Sequence, residues 1–499
     1  MRGGLMVCGT TSDAGKSHVV TGLCRMLARR GVRVAPFKAQ NMALNSFVTP
    51  SGHEIGRAQG VQALAARAEP EVAMNPILLK PTGERTSQVV VNGEPVGHFS
   101  AAEYHEMKPK LLDLVLDALA DLRRRYDVVI VEGAGSPAEI NLLDHDIVNL
   151  RIAYESGLPA VVVGDIDRGG VFAALYGTVA LLPDHYRPLV QGFLINKFRG
   201  DPGLLGSGMD DLQRRCGVPT LGVLPFLHDV ALDAEDSLAL AGHRPRATAP
   251  AVGDTLDVAA IHFPRLSNFT DLDALAIEPG VSVRLVDSAA ALGAPDLVIL
   301  PGTKATVTDL AWLRARRLDE AIAECRRADA LVLGICGGYQ MLGRRIRDDV
   351  ESKRGEVEAL GWLDVETTFA KRKITRQRRG TAMGQRVGAY EIHHGITERG
   401  GRAAGWVHLD DVYGADADGA VDLDDASVLG TSLHGMFEED AFRATFLTEL
   451  GRRRDKTFVP AGVSFAAARE SQFERLADLI EGHVDAGALD HLLAEGAPR

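Results

Sequence analysis

The chain has 499 residues, of which 46% are hydrophobic and 24% charged, and this composition is typical of a globular protein with two or three domains. Its net charge of −12 disfavours a nucleic-acid binder, which usually carries a basic excess. The five cysteines form no C-x-x-C pair, which argues against a disulfide framework or a zinc site, and no apolar run reaches the ~18 residues of a membrane span. We therefore expect a cytoplasmic protein that binds neither nucleic acid nor membrane.

Short apolar runs alternate with helical patterns over the first 240 residues. Buried parallel strands are predicted for residues 5–8, 32–36, 128–131, 160–163, 192–195 and 220–224. Helices are predicted between them, for example over 19–29 and 110–125. This alternation predicts a doubly wound α/β domain over residues 1–240.

A second α/β domain is predicted after a short linker. Residues 241–256 are rich in proline, glycine and alanine without periodicity, which indicates a linker. Strands are then predicted for 257–262, 282–286, 297–300, 330–333 and 428–432, within a domain that covers 257–454. The remaining residues, 455–499, carry an amphipathic helix over 464–483, and we expect this extension to pack on the second domain.

The segment Gly9-Thr-Thr-Ser-Asp-Ala-Gly-Lys-Ser17 lies between the first predicted strand and a helix. Such a loop can wrap a phosphate with backbone N–H groups, while Lys16 supplies charge and Ser17 an oxygen for Mg²⁺. One more residue separates Gly9 from Gly15 than in the usual P-loop, and a plain glycine-rich turn is the alternative. The residues predicted to contact ATP here are Gly9, Thr10, Thr11, Asp13, Gly15, Lys16 and Ser17.

Two other strand ends in this domain carry polar residues. Glu132 precedes a Gly-Ala-Gly sequence and is well placed for Mg²⁺, although it could instead cap the next turn. Asn196 also follows a strand and could contact the nucleotide base, although turn asparagines are nearly as common.

The second domain contains a sharp turn around Cys336. An apolar strand ends in Gly334-Ile335, and Cys336 is followed by two glycines and a helical pattern. A turn of this kind exposes a nucleophile and leaves backbone N–H groups to hold an oxyanion. The alternative is a buried core cysteine, but such a cysteine does not require the two glycines.

A cysteine nucleophile requires a base, and His434 follows a predicted strand of the same domain. His393 and His394 are its rivals, since either could be the base or a structural residue. Gly302, at another strand end, and Gly337 are the candidate oxyanion donors.

The run 371–379 is strongly basic, with three lysine or arginine residues at its start and three more arginines after them. In an acidic protein it is most simply a solvated loop or edge strand. A nucleic-acid or localisation patch and the attraction of an anionic substrate are the alternatives.

These motifs together resemble a known family. The run Gly334-Ile-Cys-Gly-Gly-Tyr-Gln340 resembles the nucleophile elbow of class I glutamine amidotransferases, and the P-loop with its extra residue resembles that of dethiobiotin synthetase. Both in one chain, with the ATP domain first, resemble the cobyrinic and cobyric acid amidotransferase family. The strings at 36–46, 74–81 and 165–172 resemble its cobyric acid branch and not the a,c-diamide synthases, and the likeness covers residues 3–485.

The resemblance implies glutamine- and ATP-dependent amidation of the b, d, e and g carboxylates of adenosylcobyrinic acid a,c-diamide, a corrinoid, in cobalamin biosynthesis. It implies the following roles: Cys336 as nucleophile, His434 as base, Lys16, Ser17 and Glu132 at ATP–Mg²⁺, Lys38 facing phosphate, and Glu54 as a weaker metal candidate. A homodimer is compatible with the sequence.

The chain departs from the class I pattern after the histidine. Where those enzymes carry glutamate two residues later, this chain has Met436, so the third member of the triad is either Glu438 or absent. Three rival functions stay open: the a,c-diamide synthase reaction, a regulatory P-loop ATPase fused to an inactive amidotransferase-like domain, and a thiol hydrolase with a nucleotide sensor.

Overall fold

The computed structural model describes residues 3–83, 85–228, 230, 253–410, 417–424 and 426–496. They form two compact units. The first comprises the described parts of Met1–Ala43, His53–Val230 and Arg469–Arg499, and the second comprises Leu44–Gly52 and the described part of Ala231–Ala468. Most of the predicted linker, 241–252, lies outside the described residues.

The core of the first unit is a six-stranded parallel sheet. Its strands are almost wholly apolar and buried, as expected where helices cover both faces. Their order across the sheet is Thr220–Pro225, Val190–Phe198, Ala160–Asp165, Gly3–Gly9, Val128–Glu132 and Val34–Phe37. All six predicted strands are present, and the prediction of a doubly wound α/β domain is confirmed.

A smaller four-stranded sheet also belongs to this unit, with strands Gln40–Met42, Ile77–Pro81, Thr86–Val91 and Glu94–Ser100. This sheet was not predicted from the sequence, because its strands are short or lack a continuous apolar run. A further short strand is Glu54–Gly56. The helices of the unit are Lys16–Arg29, Arg57–Ala65, Ala101–Arg125, Leu150–Ser156, Val171–Leu181, Gly208–Cys216 and Ala486–Glu495, together with most of Phe465–His483.

The C-terminal extension corrects one prediction, because residues from Arg469 onwards belong to the first unit and not to the second. Arg25, on the P-loop helix, is buried and forms ion pairs with Glu470 and Glu474. Apolar residues of the extension share a core cluster with that helix. The extension packs there for two reasons. Its acidic side chains pair with a basic side chain of the P-loop helix, and its apolar side chains pack against the apolar face of that helix.

The second unit is built on a seven-stranded sheet. The order is Val281–Val286, Leu256–Ile261, Leu297–Leu300, Leu331–Ile335, Val428–Thr431, Ala420–Asp422 and Ala403–Ala404. The first five strands are parallel, so their carboxyl ends lie at one edge. Gly302, Cys336 and His434 each follow one of three adjacent strands at that edge, as the sequence predicts.

A second sheet of this unit contains a long hairpin, formed by the strands Val365–Ala382 and Gln385–Arg399. Lys371 and Arg372 of the basic run are exposed, in agreement with a solvated strand. Arg378 is an exception, since it is buried and donates a hydrogen bond to Glu391 at 2.8 Å.

The other strands of that sheet are Arg345–Asp348, Gly355–Glu358, Val407–Leu409 and Ala417–Asp418, and Ser46–Val48 also lies in the unit. Its helices are Asp271–Ala276, Ala289–Leu292, Thr306–Ala315, Leu318–Arg327, Gly337–Leu342 and Asp440–Arg453. Across the described ranges of the whole chain, every helix is too short or too polar to span a lipid bilayer.

Candidate active site

Cys336 lies in a strained turn between the strand Leu331–Ile335 and the helix Gly337–Leu342. Its backbone has φ 51° and ψ −107°, a conformation that residues other than glycine rarely adopt. Such strain costs on the order of 1–3 kcal/mol and is concentrated at functional sites. A methyl group on Gly338 would lie 1.8 Å from the Leu300 carbonyl oxygen, so the turn requires glycine there.

His434 is held by a carboxylate that the sequence analysis missed. Its Nδ1 lies 2.8 Å from Oδ2 of Asp271, and the other oxygen of Asp271 accepts the Gly435 N–H at 2.6 Å. His434 is fully buried, and with Asp271 at Nδ1 its Nε2 is the ring nitrogen that interacts with the Cys336 thiol. A carboxylate at Nδ1 orients the ring and leaves Nε2 to exchange a proton with a nucleophile.

The charges of this site favour a thiolate–imidazolium pair. Burial alone would lower the pKa of His434, but the charge and hydrogen bond of Asp271, together with Cys336, raise it to about 10. Burial alone would raise the pKa of the Cys336 thiol, but the hydrogen bond and charge of His434 hold it below the ordinary value. A cysteine in such surroundings is a reactive nucleophile and not an inert core residue.

Both candidate oxyanion donors lie beside this pair. A methyl group on Gly302 would lie 2.8 Å from Cε1 of His434, and one on Gly337 would lie 2.8 Å from Cγ2 of Thr303. The Gly337 N–H also interacts with the Cys336 thiol and helps to lower its pKa. Their role as oxyanion donors stays a prediction, which this close packing around the thiol supports.

The expectation for Glu438 is corrected, since Asp271 occupies Nδ1 of His434. Asp271 begins the helix Asp271–Ala276, which follows the strand Leu256–Ile261 of the same parallel sheet. A sequence signal for Asp271 was available: it is an acidic residue at the start of a helix that follows a strand of that sheet. Asp271 precedes His434 by 163 residues, whereas the class I pattern places the acid just after the histidine.

The two rival histidines lie on the strand Gln385–Arg399 of the hairpin. His394 Nδ1 lies 3.1 Å from the Ala370 carbonyl oxygen, and burial lowers the pKa of His394 to about 4. His393 lies near Glu391, with 3.7 Å between its Nε2 and a carboxylate oxygen. With Asp271 at its Nδ1, His434 is the better-oriented base.

In the first unit, the loop from Gly9 to Ser17 has the geometry of a phosphate-binding loop at a helix N-terminus. Lys16 Nζ donates to the carbonyl oxygens of Thr11 at 2.9 Å and Ser12 at 3.1 Å, so the ammonium group curls over the loop. Gly15 has φ 96°, which favours glycine. Thr10 N–H donates to the Val163 carbonyl and continues the strand contact.

Other polar residues hold the loop in place. Asn196 Nδ2 donates to the Ala14 carbonyl at 2.9 Å, so this side chain supports the loop directly. The Asp13 carboxylate pairs with Arg168 at 2.9 Å, and its carbonyl accepts from Lys197 Nζ at 2.6 Å. Contact between Asn196 or Asp13 and ATP stays a prediction.

Glu132 is the centre of a buried polar cluster next to this loop. Its Oε1 accepts from Ser17 Oγ at 3.0 Å and Lys38 Nζ at 2.9 Å, and its Oε2 accepts from Gln62 Nε2 at 2.5 Å. Burial raises the pKa of Glu132, but Lys38 and the hydrogen bonds lower it below its usual range. The carboxylate is therefore charged at neutral pH.

These residues fit a magnesium ion bound together with nucleotide. Ser17 and Glu132 provide hard oxygen donors, and Mg²⁺ typically uses one or two protein oxygens with phosphate and water. Within the described ranges, no cluster of three or more His, Cys, Asp or Glu side chains forms a metal site by itself. Glu54, the weaker candidate, forms a buried ion pair with Lys80 at 2.6 Å.

Comparison with known proteins also finds two domains, one that binds nucleotide and one that uses glutamine. Residues 5–239 match the CobQ/CobB/MinD/ParA nucleotide binding domain, and residues 257–442 match the CobB/CobQ-like glutamine amidotransferase domain. The chain is 54% identical to a cobyric acid synthase of Streptomyces avermitilis, with 100% of this chain and 98% of the relative covered. The cobyric acid synthases of Streptomyces coelicolor, 54% identical, and Nocardia farcinica, 52% identical, match over the same shares.

The chain belongs to the cobyric acid synthase family. The expected resemblance is thereby confirmed, as is the prediction of an ATP-binding domain joined to a glutamine amidotransferase domain. The protein is an enzyme, a carbon–nitrogen ligase with glutamine as its nitrogen donor. The intact Cys336, His434 and Asp271 disfavour the rival of an inactive amidotransferase-like domain.

Proposed function

We propose that this enzyme converts adenosylcobyrinic acid a,c-diamide to adenosylcobyric acid by amidating the b, d, e and g carboxylates. The observation that carries the proposal is the charged Cys336–His434–Asp271 arrangement in a chain that is similar over its whole length to cobyric acid synthases. Each amidation consumes one glutamine and one ATP, and the reaction belongs to cobalamin biosynthesis.

The second unit supplies ammonia. The Cys336 thiolate attacks the carboxamide carbon of glutamine, and N–H groups at Gly302 and Gly337 stabilise the oxyanion. The His434 imidazolium, held by Asp271, protonates the departing ammonia and leaves a thioester. His434 then takes a proton from water, which attacks the thioester and releases glutamate.

The first unit activates the substrate. A corrinoid carboxylate attacks the γ-phosphorus of ATP, ADP leaves, and Lys16 stabilises the negative charge on the phosphate oxygens. Ser17 and Glu132 are the residues that would hold Mg²⁺, and the ion would neutralise charge on the phosphates. Ammonia then attacks the acyl phosphate, phosphate leaves, and the amide remains.

Product analysis of the Cys336→Ser variant tests this two-site arrangement. We expect glutamine-dependent amidation to be lost and ammonia-dependent, ATP-dependent amidation to continue, because serine cannot replace the thiolate while the ligase residues are unchanged. Cys216→Ser, a change of a partly buried cysteine in the first unit, is the matched control and should keep both activities. Failure of ammonia to rescue the Cys336 variant would contradict the separation of the two sites.

The identity of the corrinoid is tested separately. The enzyme should add four amides to the a,c-diamide, as measured by mass spectrometry of the product. If it amidated the a and c carboxylates of cobyrinic acid instead, the a,c-diamide synthase reaction would be the correct assignment.

A further inference from the structure

His393 is a buried imidazole for which the reaction described above provides no role. It is 8% exposed, its Nε2 faces a carboxylate oxygen of Glu391, and its Nδ1 has no hydrogen-bond partner among the described residues. Buried polar groups in proteins are almost always hydrogen-bonded, so the unsatisfied Nδ1 of this buried ring requires an explanation. A ligand that binds beside the ring would supply the missing partner.

The strand that carries His393 runs past both catalytic residues. Three residues before His393, Tyr390 is joined to His434 by two backbone hydrogen bonds of 2.9 Å, and the rings of Tyr390 and His434 are stacked. Two residues after His393, Gly395 packs closely against Gln340, which lies in the helix that follows Cys336. A methyl group on Gly395 would lie 2.5 Å from Nε2 of Gln340. His393 lies between these two points, so it borders the site where glutamine reacts.

The surroundings of His393 favour the protonated form of its ring. Its Nε2 lies 3.7 Å from a carboxylate oxygen of Glu391, and Glu391 is in turn held by Arg376 and Arg378. Burial lowers the pKa of His393, but Glu391 and the Cys336 thiolate raise it above the ordinary value. In the protonated form that these groups favour, both ring nitrogens of His393 are N–H donors and neither is an acceptor.

Glutamine has one group that matches such a donor. Its carboxamide is taken by Cys336 and the oxyanion donors, and its α-ammonium group cannot accept a hydrogen bond. Its α-carboxylate is an anion and accepts strong hydrogen bonds from a cation. His394, the neighbour in sequence, cannot supply this charge because burial lowers its pKa to about 4.

We propose that His393 donates a hydrogen bond to the α-carboxylate of glutamine and thereby selects glutamine over other primary amides. This inference rests on the proposed function, because it assigns a specificity residue to the glutamine site of the second unit. It adds a substrate contact that neither the cysteine elbow nor the position of His434 reveals.

The test compares two amides in the His393→Ala variant. Hydrolysis of glutamine and of 4-aminobutanamide, which lacks only the α-carboxylate, is measured as kcat/KM without corrinoid. For the unaltered enzyme we expect a preference for glutamine of at least tenfold. In the variant, kcat/KM for glutamine should fall by at least tenfold, mainly through KM, while that for 4-aminobutanamide should change by less than threefold.

Two variants keep the result interpretable. His394→Ala removes a buried but uncharged imidazole of the same strand, and it should retain the preference for glutamine. His393→Asn keeps an N–H donor without the charge and should show an intermediate preference, and it replaces His393→Ala if that variant does not fold. Ammonia-dependent amidation should be unchanged in every variant.

The proposal is overturned if loss of the His393 ring slows both amides equally, since that result indicates a structural or catalytic role. It is also overturned if the preference for glutamine survives. Either result, with glutamine still hydrolysed, leaves the proposed function intact, whereas an unaltered enzyme that cannot hydrolyse glutamine would contradict both.

Discussion

The carboxylate of Asp271 lies 2.8 Å from Nδ1 of His434, and its other oxygen holds the N–H of the next residue, Gly435. One side chain therefore fixes both the ring of the base and the turn that carries it. The position that glutamate occupies in class I amidotransferases is Met436 here, but the carboxylate has not been lost. It comes from a helix at another strand end of the same sheet.

Replacement of Asp271 by Asn should therefore reduce glutamine-dependent amidation by about 100-fold or more, because the amide neither stabilises the imidazolium nor fixes its tautomer. Ammonia-dependent amidation should be unaffected, which separates a local effect from misfolding. Glu438→Gln is the control, and it should retain at least half of the activity. The reverse pattern, with Glu438 essential and Asp271 dispensable, would restore the prediction from sequence.

The pKa of Cys336 predicts how its alkylation depends on pH. An ordinary thiol has a pKa of about 8.5. Cys336 should remain a thiolate at lower pH, because His434 lowers the pKa of its thiol. Its reaction with iodoacetamide, followed by mass spectrometry, should therefore stay fast below pH 8. In His434→Ala the burial of the thiol is no longer compensated, so the profile should move to higher pH.

Cys8 is an internal control for the same experiment. Burial raises its pKa to about 12, so it should remain unlabelled in the folded enzyme while Cys336 reacts. A Cys336 profile that rises only above pH 8.5 would show that the thiol is not paired with His434.

Glu132 provides a test of the ligase site that leaves the glutaminase untouched. Glu132→Gln keeps the shape of the side chain but removes the charge that meets Ser17 and Lys38. We expect ATP-dependent amidation to fall by about 100-fold, as for the loss of other preorganised electrostatic groups, and the Mg²⁺ requirement to rise. Glutamine hydrolysis should continue.

Glu139→Gln is the matched control for this change, since Glu139 is an exposed glutamate that follows the same strand end. It should amidate at the normal rate. An unchanged Mg²⁺ requirement in the Glu132 variant would argue against this carboxylate as a metal ligand.

Glu54 and Lys80 form a buried ion pair, and their separation should be costly. Glu54→Gln removes the negative charge that lies 2.6 Å from Lys80 Nζ, at a site where the side chains of Glu54 and Lys80 are 0% and 3% exposed. We expect the free energy of unfolding in urea to fall by about 3–5 kcal/mol. The double variant Glu54→Gln with Lys80→Met should recover part of this loss. If Glu54 instead serves Mg²⁺, its replacement should change the metal dependence and leave stability nearly unchanged.

Local sequence was sufficient for the parts of the fold that depend on continuous patterns. The parallel strands of both units appear as apolar runs, since both of their faces are buried, and the P-loop and the Cys336 turn appear as glycines at short, fixed spacing. The four-stranded sheet that begins at Gln40 was missed because its strands are short and partly polar. The packing of the C-terminal extension was predicted wrongly because amphipathicity shows that a helix packs, but not on which partner.

The sequence by itself determined the chemistry that this protein carries: a phosphate loop with Lys16 and Ser17, a nucleophile in Cys336, and a histidine at a neighbouring strand end. Each of these depends on residues that are close together along the chain. Only the tertiary structure decided that Asp271 orients His434, that Glu132 meets Ser17, Lys38 and Gln62, and that the strand of His393 pairs with His434. These contacts join residues far apart in sequence, and no local pattern specifies which polar side chains meet when the strand ends come together.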